Sequence, residues 1–200
     1  LENHPVKGRL EIHKQGEILK GYGKDFLYEI QSLAGAEFTV YASKDIYTPD
    51  HQMDTNGNRI VIYAKDTLVT TVVTDENGMA VVENLPLGSY YVKETKAPAG
   101  FVLNNQVQAV TFSYKDQKTP VIERSLEFTN DRQKVSIGVE KQDAQNGNKV
   151  SGAVFGLYTK EAISVNGKVI VAADKLLQEA TSDAQGLAIF HVDLPLGYLF

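Results

Sequence analysis

The chain has 200 residues, a formal charge of −5 and no cysteine. Without cysteine it can form no disulfide, thiol nucleophile or cysteine-ligated metal site. It has no run of Lys and Arg and no apolar stretch of transmembrane length, so neither nucleic acid nor membrane is an expected partner of this segment. Plentiful Val, Ile, Thr and Tyr favour a globular, strand-rich chain.

Short apolar runs separated by turn signals follow one another along the sequence. Turns are predicted at N-G-N, E-N-G, P-L-G and P-A-G, where Gly, Pro and Asn cluster. The segment 24–33 is ambiguous, and one interpretation is a short helix inserted after the first strand. Many short strands of this kind predict an all-β sandwich. The predicted strands lie near 8–14, 36–42, 59–64, 67–74, 79–84, 89–95, 107–114 and 121–129.

Sequence blocks recur in the same order, which is typical of a repeat. Lys14 ends the alternating run G-R-L-E-I-H-K, and Lys141 ends V-S-I-G-V-E-K. Further pairs of matching blocks follow each lysine: G-A-E-F-T-V-Y and G-A-V-F-G-L-Y, T-D-E-N-G-M-A-V-V and S-D-A-Q-G-L-A-I-F, and L-P-L-G twice.

The repeat predicts the domain organisation. Residues 8–132 are interpreted as one complete domain, and 133–200 as the N-terminal half of a second one. Residues 1–7 are interpreted as the tail of a preceding repeat or as a cloning scar, and Asn3 would belong to that earlier repeat. In the second repeat, the core-facing residues are expected to lack covering partners; these are Val139, Phe155, Leu157 and Phe190.

Strand parity places three polar residues on core-facing positions. Because side chains alternate across a strand, Lys14, Glu94 and Asn130 share a face with apolar neighbours on three different strands. Taken singly, Lys14 could be a strand-end lysine whose amine reaches water, and Glu94 an exposed edge residue. Burying an amine, an acid and an amide is costly unless they compensate one another. The pattern therefore predicts that the three meet.

The segment Y-Y-V-K-E-T-K-A-P-A-G-F at 90–101 resembles the E-box of collagen-adhesin B-type domains. These are the SpaA-like, prealbumin-like modules of Gram-positive pilins and adhesins. The resemblance implies prealbumin-like or Ig-like β-sandwich repeats in tandem. It also implies an isopeptide cross-link between Lys14 and Asn130, assisted by Glu94. Lys141 would be the cross-link lysine of the second repeat, with its partners beyond Phe200.

The implied chemistry is self-modification and needs no metal or cofactor. Burial disfavours charged groups, so a neutral Lys14 amine could attack the Asn130 amide. A protonated Glu94 would hydrogen-bond the Asn130 carbonyl, polarise it and pass a proton to the leaving ammonia. The reaction occurs once per chain, so the chain is not expected to be an enzyme. The scattered histidines and the D-T-N-G-N-R loop at 54–59 do not predict a metal site.

The resemblance implies a structural stalk or pilus-type module on the cell wall of a Gram-positive bacterium. Its partners would be neighbouring repeats of the same protein, with a sortase acting on the parent. Two alternatives remain open. One is an adhesin module that binds a host matrix protein or glycan through the regions 15–34 and 42–74. The other is an accessory domain of a secreted enzyme.

Overall fold

A computed structural model describes residues 4–200, which form strands and turns and no helix. The all-β prediction is therefore confirmed. The strands are, in chain order, β1 (Lys7–Tyr22), β2 (Phe26–Ser32), β3 (Glu37–Ala42), β4 (Ile46–Tyr47), β5 (Val61–Tyr63), β6 (Leu68–Val73), β7 (Met79–Leu85), β8 (Gly88–Lys96), β9 (Val107–Phe112), β10 (Val121–Asn130), β11 (Ile137–Glu140), β12 (Val154–Tyr158), β13 (Ile163–Val165), β14 (Lys168–Val171), β15 (Leu176–Thr181) and β16 (Leu187–Phe190).

The described residues form two compact units. The first holds 4–17 and Ile30–Arg132, and the second holds Ile18–Glu29 and Gln133–Phe200. The segment Ile18–Glu29 lies inside the predicted domain 8–132, yet it belongs to the second unit. The interpretation of 133–200 as half of a repeat stays a prediction.

The first unit is a sandwich of two sheets. In one sheet β1 lies between β10, which runs parallel to it, and β7, which runs antiparallel. The other sheet is antiparallel, in the order β6-β3-β8-β9. Inward side chains of both sheets form one buried apolar cluster, as the alternating sequence pattern requires. Within it the rings of Phe38 and Phe128 lie 4.7 Å apart, and Tyr90 meets Phe112 edge-on at 5.9 Å.

The second unit has three two-stranded pairings: β11 with β16, β12 with β15 and β13 with β14. Its buried cluster includes Leu157, Ile163 and Phe190 from these strands, and also Phe26. Leu157 and Phe190 are buried, and Val139 and Phe155 pack partly buried against the cluster. The expectation that these side chains lack covering partners is therefore wrong.

The covering side chains come from a β-hairpin and not from a helix. β1 continues to Tyr22, the chain turns, and β2 begins at Phe26. Phe26 is buried, and its ring lies 5.0 Å from that of Tyr22. Tyr28, two residues on and on the same side of the strand, donates a hydrogen bond to the Asp193 carbonyl at 2.9 Å. Because Phe26–Ser32 forms strand β2, the alternative interpretation of 24–33 as a short helix is wrong.

The position of Phe26 in this hairpin predicts that its substitution lowers the stability of the second unit only. Phe26→Ala should destabilise it by about 3–5 kcal/mol, because it deletes a buried aromatic ring and leaves a cavity. Leu27→Ala is the matched control, since Leu27 is 54% exposed and its loss should change stability by no more than about 0.5 kcal/mol. Amide hydrogen exchange, followed on separate peptides from 34–132 and 133–200, measures each unit. Unchanged protection of 133–200 in Phe26→Ala would contradict the assignment.

Candidate functional site

The first unit brings Lys14, Glu94 and Asn130 together in its interior. Lys14 lies on β1, Glu94 on β8 of the opposite sheet, and Asn130 ends β10. Their exposed fractions are 1%, 4% and 2%. The parallel register pairs Gly16 with Asn130, so Lys14 lies two residues before that pair on the neighbouring strand. The structure therefore places all three residues inside, where strand parity predicted them.

The three side chains form a closed set of contacts. The Lys14 Nζ is in close contact with the Asn130 Oδ1. The Asn130 Nδ2 donates to both oxygens of Glu94, each at 2.9 Å. The Glu94 Oε1 lies 3.2 Å from the Lys14 Nζ. The expected hydrogen bond from Glu94 to the Asn130 carbonyl is not present, because Glu94 faces the amide nitrogen instead.

The surroundings of Lys14 lower the pKa of its amine. Desolvation by burial lowers the pKa of Lys14, and the charge and hydrogen bond of Glu94 oppose that shift only in part. The Lys14 Nζ lies 5.9 Å from the centroid of the Phe38 ring, so one wall of the site is aromatic. A lowered pKa leaves more of the amine unprotonated at neutral pH than for a solvated lysine, and only the unprotonated amine is a nucleophile.

Backbone contacts hold Lys14 in place. Its N–H donates to the Gly78 carbonyl at 2.8 Å, and its own carbonyl accepts from the Leu33 N–H at 2.9 Å. Gly78 has a φ of +70°, and a Cβ there would lie 2.6 Å from the Lys14 carbonyl oxygen. Only glycine combines that conformation with so close an approach. The D-E-N-G turn before β7 therefore fixes the strand position that carries the amine.

Gly16 allows β1 to approach β10 closely beside the site. A Cβ at Gly16 would lie 2.7 Å from side-chain atoms of both Leu33 and Phe101, and 3.0 Å from the Asn130 carbonyl oxygen. Phe101 is the last residue of the E-box segment. The motif therefore supplies both the acid, Glu94, and an apolar side chain that packs against the strand of the amine.

Asn104, in the loop before β9, also reaches the site, and the sequence analysis did not single it out. Its backbone N–H donates to the Glu94 Oε2 at 2.7 Å. Its side-chain amide donates to the Thr129 carbonyl at 2.8 Å and accepts from the Gln106 N–H. The only sequence signal was the turn-forming character of asparagine, because a loop has no side-chain periodicity.

Lys141 has the same backbone surroundings as Lys14 in the second unit. Its N–H donates to the Gly186 carbonyl at 2.7 Å, and its carbonyl accepts from the Val150 N–H. Gly186 has a φ of +75°, and a Cβ there would lie 2.5 Å from the Lys141 carbonyl oxygen. The Lys141 side chain is exposed, however, and has no ion pair or hydrogen bond within residues 4–200. Asn3 lies outside the described residues.

The remaining sequence signals are turns. The D-T-N-G-N-R loop is closed by Asp54, whose Oδ1 accepts from the backbone N–H groups of Asn56 and Asn58 at 2.8 Å each. The first L-P-L-G links the end of β7 to the start of β8. Residues 4–200 contain no cluster of three His, Asp or Glu suited to a metal ion. They also contain no helix long and apolar enough to span a membrane.

Comparison with known proteins agrees with this architecture. Residues 28–125 match the family described as SpaA, prealbumin-like fold domain. This segment is similar to SpaA-type prealbumin-like domains. The resemblance of the E-box segment to that group is therefore confirmed for the fold, and the family match extends over 28–125.

Two bacterial proteins illustrate the similarity, and one of them is a streptococcal surface protein. The trypsin-resistant surface T6 protein of Streptococcus pyogenes serotype M6 is 24% identical over 135 residues, which are 64% of this chain and 24% of that protein. The structure of the Bacillus anthracis TIE protein matches with a TM-score of 0.57 and 26% identity, over 92% of this chain and 26% of that one. The chain thus spans about a quarter of the length of each of these two proteins.

The lowered pKa of Lys14 predicts a pH-dependent stability when the site is disrupted. In Glu94→Ala, Lys14 keeps its desolvation but loses the carboxylate that opposes the shift. The folded pKa then lies below the unfolded value of about 10.4, so between the two the unfolded state binds more protons. Stability should therefore rise with pH up to about 10.4.

The control is the double variant Lys14→Met, Glu94→Ala, which lacks the amine. Urea unfolding of chains of unmodified mass between pH 7 and about 10.5 measures the difference. Parallel pH curves for the two variants would show that Lys14 is not desolvated in the folded state.

Proposed function

We propose that the first unit cross-links itself by an isopeptide bond between Lys14 and Asn130. One observation carries the proposal: a buried amine, a buried amide and a buried carboxylate contact one another in a closed set. A lone buried charge is costly, and a pair within hydrophobic walls is no better than neutral on average. The proposed reaction converts the buried amine into a neutral amide, which removes the cost of burying that amine.

The geometry allows Glu94 to carry a proton between the two reacting groups. The Lys14 Nζ attacks the Asn130 Cγ, and the bond from Cγ to Nδ2 breaks. Nζ gives up a proton as it becomes an amide nitrogen, and Nδ2 gains one as it leaves as ammonia. Glu94 lies 3.2 Å from Nζ and 2.9 Å from Nδ2, so one carboxyl group can accept the first proton and deliver the second. Folding supplies the proximity, and no external enzyme takes part.

The bond would stabilise the unit by restricting its unfolded state. It would link residues 116 apart in sequence. A disulfide closing a loop of that length restricts the unfolded chain by about 5 kcal/mol, and an amide bridge acts on the same loop. Unlike a disulfide, an amide is not reduced by thiols, so the stabilisation would persist in any redox environment.

The position of the bond suits a load-bearing module. β1 and β10 are parallel neighbours, and the bond would join them where Gly16 pairs with Asn130. Tension applied at Lys7 and Arg132 would pass along β1 to Lys14, across the bond and out through Asn130. The residues between Lys14 and Asn130 in the sequence would carry no load. We therefore infer a stalk or pilus-type module of a cell-wall-anchored Gram-positive surface protein.

Such a module would be linked to other modules of its own chain and, through them, to the cell wall. Its partners would be adjacent repeats of the same chain, and a sortase would attach the parent to the wall. The family match and the relatives, among them a streptococcal surface protein, support a surface module. The backbone surroundings that Lys141 shares with Lys14 support a second cross-link lysine in the next repeat.

A second candidate function is adhesion through the region 42–74. A cleft of about 740 Å³ lies in the first unit, within the size range of small-molecule sites. Tyr47, Arg59 and Tyr114 line it, and the Arg59 guanidinium stacks over the Tyr47 ring at 4.3 Å. Binding to a panel of matrix proteins and glycans that Arg59→Ala abolishes, and Glu94→Ala leaves intact, would favour adhesion.

The cross-link predicts an intact mass lower than the sequence mass by one ammonia. Glu94→Ala and Asn130→Ala should keep the full mass, because one lacks the proton carrier and the other the amide. Glu127→Ala is the matched control, since Glu127 lies exposed on β10 and should not affect the loss. Tandem mass spectrometry of a tryptic digest should find the peptides of Lys14 and Asn130 joined. Full mass in the unsubstituted chain would refute the proposal.

The absence of the bond in these variants predicts a lower thermal stability of the first unit. Without the bond, the melting temperature of the first unit should fall by roughly 20 °C, which follows from about 5 kcal/mol in a domain of this size. Calorimetry of Asn130→Ala against Glu127→Ala measures this. Equal melting temperatures would mean that the bridge contributes nothing to stability.

A further inference from the structure

The loop between β8 and β9 contacts the site through a residue that takes no part in the proposed reaction. Asn104 lies in this loop and is half-buried. Its backbone N–H donates to the Glu94 Oε2 at 2.7 Å. Within residues 4–200, every other hydrogen bond or ion pair of the Glu94 carboxylate is with Lys14 or Asn130, the two reacting groups.

That contact decides where the carboxylate points. A glutamate side chain has several rotatable bonds, and ordering it costs up to about 2 kcal/mol of conformational entropy. Contacts to Lys14 and Asn130 cannot hold it through the reaction, because both groups change as the bond forms. The Asn104 N–H does not change. It fixes Oε2 and leaves Oε1 facing the Lys14 amine.

The side chain of Asn104 connects the same loop to the strand of the reacting amide. Its Nδ2 donates to the Thr129 carbonyl at 2.8 Å, directly before Asn130. Its Oδ1 accepts from the Gln106 N–H at 2.8 Å, which fixes the side-chain orientation. One residue thus links the acid on β8 to the electrophile on β10.

We infer that Asn104 is a positioning residue for isopeptide formation. Its backbone fixes the Glu94 carboxylate, and its side chain fixes the distance between that carboxylate and the Asn130 amide. The inference rests on the proposed cross-link. It adds a role for a loop residue that itself forms and breaks no bond.

The proton transfers explain why the contacts of Asn104 matter. Glu94 has to accept a proton from Nζ and deliver one to Nδ2, and both transfers need heavy-atom distances of about 2.6–3.2 Å. A displacement of about 1 Å can cost about 100-fold in rate. Asn104→Ala keeps the backbone N–H but frees the loop from β10. Bond formation should therefore slow by about 10- to 100-fold while the unit still folds.

The experiment follows ammonia loss by intact mass in freshly purified, folded chains, with the cross-linked peptide located by tandem mass spectrometry. Gln108→Ala is the matched control, because the Gln108 side-chain amide also donates to a β10 carbonyl, that of Glu127 at 2.6 Å. Among residues 4–200, Gln108 makes no hydrogen bond to Glu94. Asn104→Ser is the second variant, since serine retains an acceptor for the Gln106 N–H but is too short to reach Thr129.

The expected result is a mixture of unmodified and cross-linked chains in Asn104→Ala and Asn104→Ser, which converts slowly on incubation. The unsubstituted chain and Gln108→Ala should be fully cross-linked at the first time point. Three outcomes would overturn the inference: full conversion of Asn104→Ala, full conversion of Asn104→Ser, or equal slowing in Gln108→Ala. A purely structural role would lower the melting temperature of Asn104→Ala without slowing ammonia loss. An unsubstituted chain of full mass would instead reject the cross-link itself.

Discussion

The burial of one lysine amine is the constraint on which the first unit depends. Lys14 lies between two sheets, among side chains as apolar as Phe38 and Phe128, where a charged amine is costly. The fold compensates with one carboxylate and one amide, each from a different strand. The same desolvation that makes the charged amine costly also lowers its pKa, which increases the unprotonated fraction that the proposed reaction needs. The energetic cost and the proposed chemistry therefore have one physical origin.

The backbone around that amine is built to hold it at one point. Gly78 and Gly16 let neighbouring chain segments approach β1 more closely than a Cβ would permit. Asn104 holds the carboxylate from the other side. In the second unit, Lys141 and Gly186 repeat the first of these contacts, although the lysine is exposed there. The backbone contacts around the lysine thus form even where its side chain has no buried acid or amide partner, whereas the proposed reaction requires both.

Strand parity was enough to predict that three polar residues face the core, but it could not predict which segments pack against one another. Lys14, Glu94 and Asn130 each alternate with apolar residues, so each could be assigned to a core face without knowing which strands are neighbours. The hairpin at 18–29 could not be placed that way. Phe26 packs with Leu157 and Phe190, residues far along the chain, and local pattern carries no information about such contacts. Asn104 could not be predicted for a related reason, since its role depends on a loop conformation and not on the two-residue periodicity of a strand.

The most direct test of the central claim is the electron density at the site in a crystal structure at near-atomic resolution. The cross-link requires continuous density between the Lys14 Nζ and the Asn130 Cγ, at a bond length of about 1.33 Å, with the Asn130 Nδ2 absent. A planar amide there would show that the contact of amine, amide and carboxylate has reacted. Separate side chains, with a complete Asn130 amide and the Lys14 Nζ at a hydrogen-bonding distance of about 2.9 Å, would contradict the account.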